Sequence, residues 1–299
     1  MSREISAAVG KPYGLERVCR VLEFPRSTIY GQWARESATV VRLHPQRRGP
    51  KPKLPDADLL AAIRADLEAS PFNGEGHRKV WARLRILRGI RVSRARVLRL
   101  MRENGLLSPH RRPQGEPVLH DGSIQTDRPN EMWGTDGIRI ETVDEGWVWV
   151  FSAVDHFDAC CVGIHTVKTG NRFAALQPIA QGLKSEFGAT GADAGRGLTL
   201  RMDHGTQYTA DDFLNQVKFW GIAPSFAFVA EPQTNGVAER FNRTLKEQAI
   251  YGRVFNNVEE VRAAVTAFRD RYNRHWRLEK LGFMSPLEAR QAHAMKMAA

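Results

Sequence analysis

Between residues 131 and 167 three strand-prone runs follow one another, and they limit the core this chain can build. Glu131 to Val143 alternates around Trp133, Gly146 to Val154 (GWVWVFSAV) is dense in β-branched and aromatic residues, and Ala159 to Val167 supplies the third. Helical and extended patterns then take turns. Arg172 to Phe187 reads as a helix, Gly197 to Met202 as a strand, Asp211 to Trp220 as a helix and Ala223 to Val229 as a strand. Two long helices close the pattern, one near Asn235 to Tyr251 and one from Val258 to Tyr272.

Three consecutive strands and then alternation is the order of a ribonuclease-H-like fold, although other α/β folds share it. The 299 residues suit two or three domains at roughly 100–200 residues each. The net charge is +11, and its distribution divides the chain. Residues 1–120 hold 24 Lys and Arg against 11 Asp and Glu, while the remainder holds 20 against 22. A basic front and a near-neutral rear point to nucleic-acid binding ahead of a second function. Breaks rich in proline and basic residues set the expected organisation: a helix-turn-helix-like segment at 1–42, a linker at 43–55, a helix-turn-helix domain at 56–112, a linker at 113–127, and an α/β core with C-terminal helices at 128–299.

The longest uncharged run, Phe219 to Ala230, has twelve residues, short of the roughly 18–20 that span a bilayer. Met1-Ser2-Arg3-Glu4 has no apolar stretch behind it, so no secretory signal is expected. Cys19, Cys160 and Cys161 have neither disulfide-framework nor zinc-ligand spacing, and the adjacent pair reads as strand residues. No membrane partner is expected, and a reducing cytoplasm fits.

In the first segment Leu15, Val18, Cys19 and Leu22 recur at helical spacing, Glu23-Phe24-Pro25 interrupts, and Ser27 or Thr28 opens a second helix through Tyr30 and Trp33. This is a helix-turn-helix or, equally, an ordinary helical hairpin. The next segment is sharper. His77 to Leu87 reads as a helix carrying Val80, Leu84 and Leu87, and Gly89 ends it. Ser93 caps a second helix, Arg94 to Asn104, with Val97, Leu98 and Met101 on one face and Gly105 at the left-handed end position. From Arg78 to Arg112 there are twelve Lys or Arg and one acid, Glu103. Arg94, Arg96, Arg99 and Arg102 load the second helix for a major groove, while Arg78 and Lys79 on the first suit phosphates.

Three carboxylates stand out by placement. Asp136 lies in the first strand, Asp203 just after the fourth, and Glu239 near the start of a helix. Two strand-borne carboxylates and one helix-borne carboxylate can meet at one end of a sheet. Close carboxylates raise one another's pKa, so a cation is needed to keep them ionised together. Oxygen-only ligands favour Mg²⁺ or Mn²⁺, and two such ions roughly 4 Å apart can stabilise both the attacking and leaving oxygens of a phosphoryl transfer. Lys246 follows Glu239 by seven residues and Arg243 lies between them, so both cations share the face of Glu239 and can bind DNA phosphate.

Taken together, W-G-T-D (133–136), M-D-H-G-T-Q-Y (202–208) and N-G-V-A-E-R-F-N-R-T-L-K (235–246) resemble the DDE integrase core. They are most similar to transposases of bacterial insertion sequences of the IS-three type, products of the second reading frame. Gly76 to Arg112 resembles that family's helix-turn-helix and Val18 to Arg35 its extreme N-terminus. Tyr272-Asn273, Leu281-Gly282-Phe283 and Pro286 resemble its closing pattern. The resemblance implies that Asp136, Asp203 and Glu239 form a metal-binding catalytic triad. It also implies hydrolysis at the element's ends to free a 3′-hydroxyl, which then attacks another strand in the same active site. The chain departs from the family at Gly137, where an apolar β-former is usual, at Met202, where a small polar residue is common, and at His275-Trp276-Arg277 in place of R-P-H. None removes a ligand.

Asp155 matches a recurrent family aspartate and is expected to be structural. His204 either touches the phosphate or orients its loop, and Pro232 and Gly236 lie in a loop that either contacts DNA or simply starts the helix. Two other readings compete: a silent DNA-binding regulator, which the intact triad disfavours, and a ribonuclease-H-like nuclease without joining, which the tandem DNA-binding segments disfavour. The expected partners are DNA, as terminal repeats and target, and at least one further copy of the chain, since two ends must meet. The resemblance adds an upstream reading-frame product as a partner, and a cytoplasmic, nucleoid-associated location follows.

Overall fold

The structure, a computed structural model, describes residues 2–37, 54–108, 124–227 and 235–298. Most of the 43–55 linker, Pro109, Pro113 and Pro117 of the second break, and Val229 and Pro232 lie outside these residues. The chain divides into two compact units, Met1–Lys53 and Leu54–Ala299. In the first, α1 (Leu15–Val21) and α2 (Arg26–Ser37) are joined by a turn in which Glu23 adopts a φ of 52°. Cys19 is buried there, while Val21, Leu22, Phe24, Tyr30 and Trp33 remain exposed.

The second unit opens with three helices, α3 (Asp56–Ala69), α4 (His77–Ile86) and α5 (Arg94–Glu103). Leu59 and Ile63 of α3, Val80 and Leu84 of α4, and Val97, Leu100 and Met101 of α5 form one apolar core. Ser93 caps α5 by accepting from the Arg96 N–H at 3.3 Å, and Gly105 ends it at a φ of +66°, as its position predicts. Leu87, expected inside, is 60% exposed because α4 stops at Ile86. Arg83 is buried and gripped by Asp66 and Glu75, so part of the basic run is internal.

The sheet is built from β1 (Met132–Thr142), β2 (Gly146–Asp155), β3 (Cys161–Val167), β4 (Thr199–Met202) and β5 (Ala223–Phe226). The spatial order is β3-β2-β1-β4-β5. The pairs β1–β2 and β2–β3 are antiparallel, while β1–β4 and β4–β5 are parallel. An antiparallel meander extended by parallel strands is the ribonuclease-H-like arrangement. On one face α6 (Arg172–Phe187) and α8 (Asp211–Phe219), with the single turn α7 (Thr206–Thr209) between them, cover Trp133, Phe151 and Leu200. On the other, α9 (Gly236–Leu245) and α10 (Val258–His275) cover Ile138, Val148 and Val150. A π turn, Lys246–Ile250, continues α9, and α11 (Pro286–Ala298) ends the described chain. Glycine at 163 lets α6 approach β3, since a Cβ there would lie 1.9 Å from the Pro178 carbonyl oxygen.

Strand β3 is an edge, and its outer backbone groups are taken by side chains. Asn273 accepts from the Cys161 N–H at 2.9 Å and donates to the Cys161 carbonyl at 3.0 Å. Gln181 accepts from the Ile164 N–H, and Arg262 donates to the Thr166 carbonyl. These bonds blunt an edge that would otherwise template another strand, and they give Asn273 of the closing motif a physical role. Cys160 and Cys161 are buried free thiols. Among the described residues no helix is long and apolar enough to cross a membrane.

The three-helix front packs on this core within the same unit. The Phe72 ring meets Trp276 edge-on at 4.8 Å, Trp81 meets Phe283 at 5.8 Å, and Asn73 and Gln248 exchange hydrogen bonds of 3.0 and 2.8 Å. Trp276, the departure in the closing motif, is a docking residue for the helical front.

Candidate active site

Asp136 sits in the middle of β1 on the face covered by α9. Its Oδ1 accepts from the Gly137 N–H at 2.7 Å, and its Oδ2 accepts from Asn242 Nδ2 at 2.9 Å. Asn242 is itself held by the Ser152 hydroxyl, which donates to its Oδ1 at 3.2 Å. Asp203 follows β4 and is exposed, with Oδ1 accepting from the Gly205 N–H at 2.9 Å. Glu239 lies in the first turn of α9. Asn235 fixes the start of that helix by donating to the Thr135 carbonyl at 3.0 Å. That approach requires Gly134, because a Cβ there would lie 2.8 Å from Asn235 Oδ1 and 3.0 Å from His156 Nε2.

The Asp203 charge acts on both other carboxylates, and the Asp136 charge acts on Glu239. Burial raises the Asp136 carboxyl above the ordinary range and Asp203 adds to this, while the bonds from Asn242 and Gly137 and the charge of Lys246 oppose it. Glu239 is raised by burial and by Asp136 and Asp203, against the pull of Arg243. The chemistry of this donor set fits a hard divalent cation: oxygen ligands only, on three elements, with a repulsion that positive charge relieves. Among the described residues no three His, Cys, Asp or Glu side chains close into a metal-holding group.

The flanking residues fall on both sides of expectation. Lys246, at the start of the π turn, acts on Asp136, and Arg243 acts on Glu239. His204 binds the Ala227 carbonyl through Nε2 at 2.9 Å and stacks on Phe226 at 5.2 Å, which orients its loop. On the helical front Arg96 and Arg99 are held by Asp56 at 2.5 and 2.6 Å, and Lys79 covers the Trp276 ring beside Glu75. Arg78 and Arg94 share Glu279 at 2.7 and 3.5 Å, and Arg102 is exposed on α5. Two site residues escaped the sequence reading. Asn242 was legible as the residue at i+3 from Glu239, on the same helix face. Tyr208, fully buried next to Asp136 and Asp203, carries no such mark beyond its place in the 202–208 motif.

Comparison with known proteins extends these observations. A family described as Integrase core domain matches residues 126–232, a second of the same description matches 220–286, and HTH-like domain matches 55–114. The chain is similar to the transposase for insertion sequence element IS629 of Shigella sonnei, 26% identical over 291 residues, covering 94% of this chain and 93% of that one. It is also similar to the transposase InsD for insertion element IS2 of Escherichia coli, 29% identical over 247 residues and 78% of each chain. Among solved structures, the HTLV-2 integrase catalytic core domain in complex with magnesium, in its dimeric form, aligns at a TM-score of 0.41 and 14% identity, covering 55% of this chain and 97% of that one.

Proposed function

We propose that the chain is an integrase-core transposase of an insertion sequence, with Asp136, Asp203 and Glu239 as the carboxylates with which it cuts and joins DNA. The observation that supports this reading is that carboxylates from β1, the end of β4 and the start of α9 lie within electrostatic reach, Asp203 acting on Asp136 and both acting on Glu239. Mg²⁺ or Mn²⁺, as two ions held by these residues, would supply a nucleophilic oxygen and neutralise the charge developing on the phosphate. Asn242 keeps the Asp136 carboxylate aimed, and Lys246 and Arg243 hold the phosphate on the same helix face. Water serves as the first nucleophile and frees a 3′-hydroxyl at the element's end. That hydroxyl is the second, and it joins the end to a new site.

Short duplexes from the element's ends, incubated with the full chain and Mn²⁺ and resolved on a denaturing gel, test this. Cleavage at a fixed 3′ end together with longer joined strands is expected. Cleavage without joining would make the protein a nuclease, and binding without cleavage a regulator. Two ends must meet for joining, so the active species is at least a dimer on DNA. An upstream reading-frame product is a further proposed partner.

The helical front contributes DNA contacts through Arg78, Arg94 and Arg102. The first two are paired with Glu279 in the free protein, so a phosphate must displace a carboxylate. Arg94→Ala is expected to weaken DNA binding and to lower the salt slope by about one. Glu279→Ala should strengthen binding by about twofold to fivefold, because an exposed pair contributes under about 1 kcal/mol. Affinities measured across a salt series decide this: changes of the same sign in both variants would remove Arg78 and Arg94 from the DNA interface.

A further inference from the structure

The outer half of the β1–β2 hairpin carries a ladder of rings that the carboxylate site does not use. Gly137, Arg139 and Glu141 of β1 lie opposite Phe151, Trp149 and Trp147 of β2. Strand alternation puts this set on the sheet face opposite Asp136. Phe151 and Trp149 stack at 5.5 Å with their planes 6° apart. The Phe151 ring takes the room of a side chain at 137, where a Cβ would lie 2.8 Å from it, which accounts for the departure to glycine beside Asp136. The Arg139 guanidinium lies 5.6 Å from the Trp149 ring and 5.4 Å from the Trp147 ring. Its partners among the described residues are these rings, not a carboxylate. Trp147, the outermost rung, is 54% exposed.

The ladder shares strand β1 with Asp136 but lies across the sheet from it. Arg139 is three residues beyond Asp136, about 10 Å along a strand. Trp149 covers Gly170, where a Cβ would lie 2.3 Å from the indole. The Gly170 carbonyl accepts from Gln207 Nε2 at 3.5 Å, and Gln207 is four residues past Asp203.

Cross-strand packing accounts for Phe151, which is buried, and in part for Trp149, which is half-buried. It does not account for Trp147, whose indole is mostly in water and gains little from burial. A half-exposed indole with a guanidinium over its ring and no carboxylate on that guanidinium matches a nucleobase and its phosphate: the outer face of the ring stacks on the base and the cation holds the backbone, for any sequence. Bases in a duplex are stacked on one another, so the occupant must be unpaired. We propose that Trp147 and Arg139, with the half-buried Trp149 beneath them, form a stacking platform for unpaired nucleotides of the DNA at the cut end. The proposal rests on the reading of this chain as a DNA-cutting transposase and names a part of the substrate that the reading leaves open. Cutting one strand at a terminus lets neighbouring bases fray, and the platform holds them clear of the carboxylates.

The test compares two dye-labelled duplexes of one sequence, one blunt and one with a short unpaired thymidine extension, by fluorescence anisotropy with the full chain. Wild type is expected to bind the extended duplex about tenfold more tightly than the blunt one. Trp147→Ala should bring that ratio close to one, and Trp147→Phe, which keeps a stacking face, should retain most of it. Equal binding of the two duplexes by wild type, or an undiminished ratio in Trp147→Ala, overturns the platform alone. Failure of wild type to bind either duplex overturns the transposase reading and the platform with it.

Discussion

Asp136→Asn is expected to slow strand cleavage by about 10³-fold while DNA binding persists, given the several kcal/mol that a bound divalent cation contributes to phosphoryl transfer. Asparagine keeps the shape of the side chain, and its oxygen can still accept from the Gly137 N–H as the carboxylate does. What is lost is one negative charge, since Asn242 can turn its amide to accept from the new Nδ2 and donate to the Ser152 hydroxyl. In the free protein that charge is costly, because burial and Asp203 both work against the ionised form. The cation-free variant should therefore melt above the cation-free wild type. Mn²⁺ should raise the melting temperature of wild type by binding the folded state, and should leave the variant close to unmoved. Loss of cleavage together with a gain in cation-free stability marks a carboxylate kept for chemistry, whereas an aspartate kept for structure loses stability when neutralised. Calorimetry with and without Mn²⁺, beside the cleavage gel, reads both signs. Cleavage at the wild-type rate in Asp136→Asn would remove this residue from the site.

The sheet and its carboxylates were legible because local patterns carry them. Alternation around Trp133 marks β1, and the glycine-bounded run 146–154 marks β2. Ser93 and Gly105 bracket α5 because capping chemistry depends only on neighbours in the chain. The three proposed carboxylates were picked out by the strand and helix contexts around them. What was not legible depends on partners far along the chain. Asp56 precedes Arg96 by 40 residues, so Arg96 reads as a DNA contact in sequence while the fold gives it to α3. Arg83 counts as one more positive charge until Asp66 and Glu75 enclose it. Gly137 reads as a lapse in a strand until the Phe151 ring is seen to occupy its side. The π turn at Lys246 is likewise silent in sequence, since it re-aims the chain without any change in composition.

Arg290→Ala should cost about 3–5 kcal/mol, the price of breaking a buried ion pair from one side. Arg290 reaches from α11 to place Nη2 2.8 Å from Asp155, Nε 2.7 Å from Asp158 and Nη1 2.5 Å from Glu186. Both aspartates are fully buried at the end of β2. They accept backbone N–H groups as well, Asp155 from Asn130 and Phe157 and Asp158 from Cys160, so they cannot turn out to water without opening that end of the sheet. Even with the guanidinium present, Asp155 is pushed up to about 7, by burial first and then by Asp158. A folded-state value above the unfolded carboxyl near 3.9 means that the fold holds this proton more tightly than the open chain does. The resulting stabilisation is complete below about pH 4 and is lost as pH rises through about 7. Without Arg290 the repulsion is opposed chiefly by Lys280, which lies on the His156 and Phe157 carbonyls and makes no ion pair with either aspartate, so the loss deepens and extends to higher pH. The deficit of the variant against wild type should be largest near pH 8, about 10 °C in melting temperature for a domain of this size, and should shrink towards pH 5. Arg290→Met combined with Asp158→Asn should recover much of it, because one neutral amide replaces one of two facing charges. A deficit that is the same at pH 5 and pH 8 would assign the role of Arg290 to packing of its methylene stem rather than to its charge.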